Sequence, residues 1–300
     1  MSIFNVLFDV IAPVAVIVAL GASFGRRLKV DMATISRLAY WVFGPAFAFA
    51  LLADADLERS VVWRIVLAAV AGMAAALMTA AAWARASGVG YEIGAAAVMT
   101  SVHGNVGNTG LAIVVFALGE QALPVAALLM VVINMVGLSL GVGLAHAQDS
   151  SPMAAALRGL TAPMTMASVV AVAVNVLNID VPLVADRSIG LLGEALIPLM
   201  LFGLGIQLVD AGRPTWTNDL GATFVAKLAV APLVAGLVGA ALGLTGDPLS
   251  ALVIQSAMPP AVFCAVVAME GNLVPDRVTA SVVATTLMSL LTLPVVLLLL

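Results

Sequence analysis

The sequence predicts an all-α membrane protein of ten transmembrane helices, arranged as two inverted five-helix repeats with one broken helix in each. Three observations predict it. First, 63% of the 300 residues are hydrophobic and 9% are charged, with a mean hydropathy of +1.18. A soluble domain carries about 25% charged residues, so a bilayer must be the solvent for most of this chain. Second, apolar stretches of about 20 residues, the length that crosses roughly 30 Å of hydrocarbon, recur along the chain between short polar breaks. Third, two of those stretches, one per half, are interrupted by residues that break helices.

The spans are predicted at 3–24, 33–53, 61–84, 92–117, 122–145, 154–177, 187–209, 219–243, 248–269 and 277–300. Between them lie turn-rich segments such as GRRLKVD, RASGVGYE, DAGRPTWTND and GLTGDP. The N-terminal segment MSIFNVLFDVIAP has no basic n-region or small-residue cleavage site and reads as the first span rather than a removed leader. The single cysteine, Cys264, sits in an apolar stretch and builds no disulfide framework. The two histidines, His103 and His146, are too few and too far apart for a metal site. No cofactor and no nucleic-acid partner is expected.

The second half echoes the first at a spacing of about 153 residues, dividing the chain into repeats 1–148 and 149–300. The second span, SRLAYWVFGPAFAFALL, and the seventh, LLGEALIPLMLFGLG, carry Pro45 and Pro198 at mid-helix. The fourth and ninth spans each consist of an apolar arm, a helix-breaking cluster, a second apolar arm and an acidic exit, Glu120 or Glu270. An odd number of spans per half inverts one repeat relative to the other. Paired broken helices in inverted repeats point to a transporter site near the bilayer midplane.

The first break is His103-Gly104-Asn105-Val106-Gly107-Asn108-Thr109-Gly110. Each glycine weakens a helix by about 1 kcal/mol, and asparagine side chains compete for backbone partners. Unwound backbone at membrane depth is tolerated only where protein buries it or water reaches it. Helix packing through small residues would need the glycines but not the asparagines. The break therefore reads as a discontinuous helix offering N–H groups and Asn amides to a ligand.

The second break is Gln255-Ser256-Ala257-Met258-Pro259-Pro260-Ala261. Each proline removes a donor and clashes with the preceding turn, at about 3 kcal/mol or more. Two in succession predict a stop and a restart, with Pro in the first turn of the new helix; a simple kink is the alternative. A helix N-terminus carries roughly +0.5 charge, so two converging near Val106–Gly107 and Pro260–Ala261 form an anion site. That favours a carboxylate ligand, although asparagine oxygens also suit Na⁺.

Other polar residues lie within spans. Lys227, about nine residues into the eighth span and followed by Pro232, is either functional or snorkels to the inner interface. Asn134 in the fifth span lines the site or bonds another helix. Glu194 couples protons or sits near the outer headgroups. His103 shuttles protons or caps the unwound turn. Gln255 and Ser256 line the site from the second break.

At these breaks the sequence resembles the auxin efflux carrier family. The best stretch is QSAMPPAVFCAVVAMEGNLVPDRVTASVVATTLMSLLTLPVVLLLL at 255–300, similar to the family's C-terminal crossover helix, acidic exit and last helix. MTSVHGNVGNTGLAIVVFALGEQA at 99–122 is similar to the first crossover, with Asn105 and Gly110 on the crossover asparagine and its following glycine. VAKLAVAPLV at 225–234 is similar to the eighth helix. The resemblance implies the bile-acid-symporter-like fold. It implies a scaffold of helices one, two, six and seven, and a transport domain of helices three to five and eight to ten that moves across the membrane. It also implies organic anion substrates, a homodimer through the scaffold, and crossover roles for Asn105 and Pro259, with Asn134 facing the substrate. The sequence departs from the family at Gly104, where a proline is frequent, and lacks the long central loop of plant members, so auxin itself is not the expected ligand.

The expected function is secondary transport of a small mono- or dicarboxylate. Its ligand-binding residues would be Asn105, Val106, Gly107, Asn108, Asn134, Gln255, Ser256, Pro259, Pro260 and Ala261, with charge or coupling roles for His103, Lys227 and Glu194. The alternative is a sodium-coupled symporter of the bile-acid type. No HExxH, GxSxG or phosphate-loop motif supports an enzyme.

Orientation follows from the cations, which stay cytoplasmic in short loops. With the N-terminus outside, a bacterial inner-membrane protein of this pattern places Arg26, Arg27, Lys29, Arg37, Arg85, Arg158, Arg213 and Arg277 inside, and only Arg59, Arg64 and Arg187 outside. Both termini are then extracytoplasmic. A topology reporter fused after Leu300 is expected to be active only outside the cytoplasm; activity confined to the cytoplasm would reverse the orientation.

Overall fold

The computed structural model describes residues 3–55, 58–145, 160–210, 217–271 and 273–300, leaving aside the side chains of Arg26, Asp210 and Glu270. His146, Arg158, Arg213 and the expected repeat boundary at 148–149 lie outside the described residues. Seven helical stretches are long and apolar enough to cross a bilayer: Ile3–Gly25, Met32–Ala53, Arg59–Ser87, Glu120–Ala145, Leu183–Val209, Asn218–Ala241 and Pro275–Leu299. No strand occurs among the described residues. Of the other three expected spans, 92–117 and 248–269 are interrupted, and the third is described as the helix Pro163–Val176.

The elements that position the breaks are α1 (Ala12–Leu28), α2 (Gly44–Ala53), α3 (Arg59–Ser87), α4 (Tyr91–Val102), α5 (Leu111–Leu118) and α6 (Leu123–Ala145). They continue as α7 (Pro163–Val176), α8 (Leu183–Glu194), α9 (Leu196–Asp210), α10 (Ala231–Ala241), α11 (Gly246–Ser256), α12 (Phe263–Glu270) and α13 (Pro275–Leu299).

Three prolines shape these helices in the same way. A proline lacks the N–H that would bond four residues back, and its ring crowds that carbonyl. Before Pro13, Pro45 and Pro232 the backbone relaxes into wide π turns, at Val6–Ile11, Ala39–Phe43 and Val225–Val230. In each case the residue ahead of the proline bonds five residues back: Ala12 to Leu7, Gly44 to Ala39, Ala231 to Ala226. Pro198 acts differently. Its fourth preceding residue is Glu194, and there α8 ends; α9 restarts at Leu196.

Between helices the bilayer supplies no hydrophobic driving force, so close contact depends on small residues. α1 and α9 approach until backbones touch. A Cβ on Gly21 would overlap the Phe202 carbonyl, and one on Gly205 would overlap the Val18 carbonyl. α2 packs on α7 and α8, with Gly193 of α8 against the Phe47 backbone. A second group comprises α3, α4, α10 and α11, with α12 on α13. Gly72 of α3 sets its surface against the Ala231 carbonyl of α10. α6 lies between the groups, touching α4, α5, α11 and α12 on one side and α2 and α7 on the other.

Helix ends are tied in two sets. Tyr91 Oη donates to the Leu144 carbonyl at 2.9 Å, and Arg277 Nη1 pairs with Asp219 Oδ1 at 3.2 Å. Elsewhere, Asn175 Nδ2 donates to the carbonyls of Ala53 at 2.8 Å and Ala55 at 3.1 Å. Asp31 caps the helix Met32–Leu38, accepting from the N–H groups of Ala33 and Thr34 and from the Thr34 hydroxyl. These bonds hold its carboxyl below the usual carboxylate range.

The α1–α9 contact predicts that Gly21→Leu or Gly205→Leu lowers the melting temperature of the purified protein, at about 1–3 kcal/mol for overpacking. Gly190→Ala, whose Cβ meets nothing within 4 Å, should leave it unchanged. Equal melting temperatures for all three would remove the packing account.

Candidate functional site

The two breaks meet. His103 leaves α4 with extended backbone (φ −88, ψ 100), and Asn105 follows at φ −78, ψ 56. Across from it, Met258 and Pro259 each precede a proline, which pushes them to extended backbone. The two extended segments pair antiparallel, with Gly104 opposite Pro260. Asn105 N–H donates to the Pro259 carbonyl at 2.7 Å, and Ala261 N–H donates to the His103 carbonyl at 2.9 Å. Each break therefore satisfies part of the other's exposed backbone.

The half-helices then restart. Asn105 precedes a wide first turn, Val106–Gly110, in which Thr109 and Gly110 N–H both return to the Asn105 carbonyl. The N–H groups of Val106, Gly107 and Asn108 have no intrahelical acceptor, as at any helix start. On the other side the sequence expectation needs correction. Pro260 does not open the new helix: the extended pairing continues through Ala261, and α12 begins at Phe263. Pro260 has no N–H and that of Ala261 is engaged with His103. The first unengaged amides on this side belong to Val262 and Phe263 rather than to Pro260 and Ala261.

Side chains from three other elements, α6, α11 and the wide turn Val225–Val230, converge on the crossing. Asn105, buried at 3% exposure, donates through Nδ2 to Thr109 Oγ1 at 3.4 Å. His103 is also buried; its Nε2 donates to Asn134 Oδ1 on α6 at 3.0 Å. Gly137, one turn along α6, leaves room for the imidazole, since a Cβ there would lie 2.6 Å from His103 Cγ. Asn134 Nδ2 points onward to Met164 Sδ of α7 at 3.9 Å. Gln255 is fully buried at the end of α11; its Nε2 reaches the Ala126 carbonyl at 3.4 Å, while its Oε1 has no partner. That Oε1 presses on Gly110, where any Cβ would collide with it. Ser256 is buried beside it.

Lys227 is the central finding. The sequence left it between snorkelling and function. The structure buries it to 2% exposure, with its ammonium against the crossing backbone. A Cβ on residue 104 would stand 2.9 Å from Nζ and 3.1 Å from Cε, so the glycine at this position makes room for the lysine. Lys227 lies in the wide turn ahead of Pro232, which shifts the helical phase of the residues before it. Cys264, on the first turn of α12, directs its thiol toward the carbonyls of His103 at 3.9 Å and Met99 at 4.0 Å. The one ion pair among the described residues, Arg277 with Asp219, does not involve it.

Not every expected residue joins the site. Glu194 is exposed at the end of α8, which packs on α2 and α9. Val106 is buried in the first turn, and Gly107 faces Met130 Sδ. Two buried hydroxyls escaped sequence reading: Thr100 of α4 and Thr223 ahead of Lys227 face each other at 3.1 Å. They lie more than 120 residues apart, and nothing in the sequence marks them as a pair. No group of three or more His, Cys, Asp or Glu that could hold a metal occurs among the described residues.

A family model described as "Membrane transport protein" matches residues 6–297. The chain is 26% identical over 266 residues to an uncharacterized transporter of Methanothermobacter thermautotrophicus, covering 88% of this chain and 87% of that protein. It is 26% identical over 199 residues to a putative malonate transporter of Rhizobium meliloti, covering 63% and 62%. It is 31% identical over 108 residues to auxin efflux carrier component 1 of Arabidopsis thaliana, covering 35% of this chain and 17% of that one. A match across nearly the whole chain, on an all-helical apolar fold, makes this an integral membrane protein that belongs to the membrane transport protein family, the family of the auxin efflux carriers.

Proposed function

We propose that this chain is a secondary carrier of a small organic anion, a mono- or dicarboxylate, held at the crossing of its two interrupted helices. The observation that carries the reading is Lys227: a buried cation, against the crossing backbone, with no counter-ion among the described residues. An uncompensated buried charge costs several kcal/mol, and an anionic ligand offsets that cost. The unengaged N–H groups at Val106–Asn108 and at Val262–Phe263 add helix-end dipoles of the same sign. Asn105 orients the carboxylate, and Asn134, Gln255 and Ser256 complete the compartment. The relative called a putative malonate transporter supports the ligand class.

The transport step in this reading is elevator-type alternating access in a ten-span, inverted-repeat fold of a bacterial inner membrane, with both termini extracytoplasmic. The packing supports a division into two bodies. The first, second, sixth and seventh spans contact one another through α1–α9, α2–α7 and α2–α8, while α3, α4 and α10–α13 form the second group; the first half-helix touches both, α5 packing on α11 and on the wide turn Val6–Ile11, and its opening turn Val106–Gly110 packing on α9. The ligand would travel with the second body.

Sodium-coupled symport is a second reading, favoured by one observation. The buried Oε1 of Gln255 has no donor, and an unpaired buried acceptor costs about 1–3 kcal/mol that a cation would relieve.

Asn105→Ala is expected to cut carboxylate uptake into proteoliposomes at least tenfold while membrane insertion and monodispersity stay unchanged; uptake at the wild-type rate would refute the site. Replacing external Na⁺ by K⁺ separates the readings: unchanged uptake fits the uncoupled or proton-linked carrier, and loss of uptake fits the symporter.

A further inference from the structure

Resting on the anion-carrier reading, we infer that the crossing accepts a ligand bearing one net negative charge and rejects a second. The inference comes from a count of charge around the compartment. Lys227 supplies one positive charge at the Gly104–Pro260 crossing. The other polar side chains around the crossing are uncharged: the amides of Asn105, Asn134 and Gln255, the hydroxyls of Thr109 and Ser256, and the thiol of Cys264, whose Sγ lies 3.9 Å from the His103 carbonyl. His103 is engaged through Nε2 with Asn134. The other buried ionisable side chain with a described partner, Asp219, is already neutralised by Arg277 and adds nothing.

A monoanion therefore brings the compartment to zero net charge. A dianion leaves one negative charge in a low-dielectric space, where an unpaired charge is heavily penalised. The available N–H groups are few on one side because Pro260 has none and Ala261 spends its own on His103. A dicarboxylate thus enters as its singly charged form, with the second carboxyl protonated and able to donate a hydrogen bond. The buried, unpartnered Oε1 of Gln255 is an acceptor of the kind such a proton seeks.

A charge series on one skeleton tests this: malonate, its monoamide malonamate, and the neutral diamide malonamide, with the matching four-carbon set. The readout is the thermal shift of the purified full chain at neutral pH. Malonamate is expected to stabilise the protein at concentrations about tenfold or more below those malonate requires, and malonamide not at all. Malonate acting as well as malonamate, or better, overturns the single-charge inference and leaves the carrier reading standing. If no anion of either series shifts the transition, both fail for these acids. In Lys227→Gln the preference for the monoanion over the neutral diamide should collapse; retention of the wild-type order would show that Lys227 does not set it. Should that variant elute as aggregate, Gly104→Ala, which crowds the ammonium, is expected to weaken the same preference, and an unaltered order there also overturns the inference.

Discussion

Two backbone hydrogen bonds organise this protein: Asn105 N–H to the Pro259 carbonyl, and Ala261 N–H to the His103 carbonyl. Hydrocarbon offers no partner for open peptide groups, so a helix interrupted at membrane depth must find one in protein. Here each interruption serves the other. The pairing joins residues more than 150 positions apart and sets the orientation of both half-helices. The surrounding architecture follows from protecting it. α6 covers it with Asn134, α11 closes it with Gln255, and the wide turn before Pro232 brings Lys227 against it.

The same constraint explains the role of small residues and prolines. Gly104, Gly110 and Gly137 each stand where a Cβ would strike a polar side chain of the site, namely Lys227, Gln255 and His103. The glycines are thus steric complements to particular polar groups as well as helix breakers. The prolines divide by context. Pro13, Pro45 and Pro232 widen a continuing helix, while Pro259 and Pro260 enforce extended backbone. The difference lies in number and in partner: at Pro13, Pro45 and Pro232 one missing donor is absorbed by a π turn, whereas Pro259 and Pro260 remove two donors in succession and favour pairing with another extended segment.

Electrostatics completes the account. A cation at this depth would ordinarily be paired or would snorkel to the interface. Among the described residues Lys227 does neither, and in the proposed reading an anionic ligand balances its charge. The asymmetry between the breaks then has a chemical sense. The first offers three amide N–H groups and two asparagines, the second a proline wall and a later helix start, and the cation is supplied from a third element between them.

The long apolar spans, the positions of both breaks, and the Gly/Asn and Pro-Pro character of each were legible in the sequence, because spans and breaks are local properties of hydropathy and backbone propensity. So was the family. The restart of the second half-helix was misplaced by about three residues, because extended pairing with a distant segment outlasted the local preference of Pro for a first turn. The fate of Lys227 was not legible either, since depth along a span does not say which way a side chain points; the π turn before Pro232 and the absence of a side chain at Gly104 decide that together. Nor could the Thr100–Thr223 contact or the Arg277–Asp219 pair be read, being long-range meetings of individually ordinary residues. The sequence by itself determined that the chain lives in a bilayer and where its helices must break. Only the tertiary structure decided that the breaks satisfy one another and that Lys227, with no counter-ion among the described residues, stands against their crossing, because both depend on which segments a folded backbone brings within hydrogen-bonding and Coulombic reach.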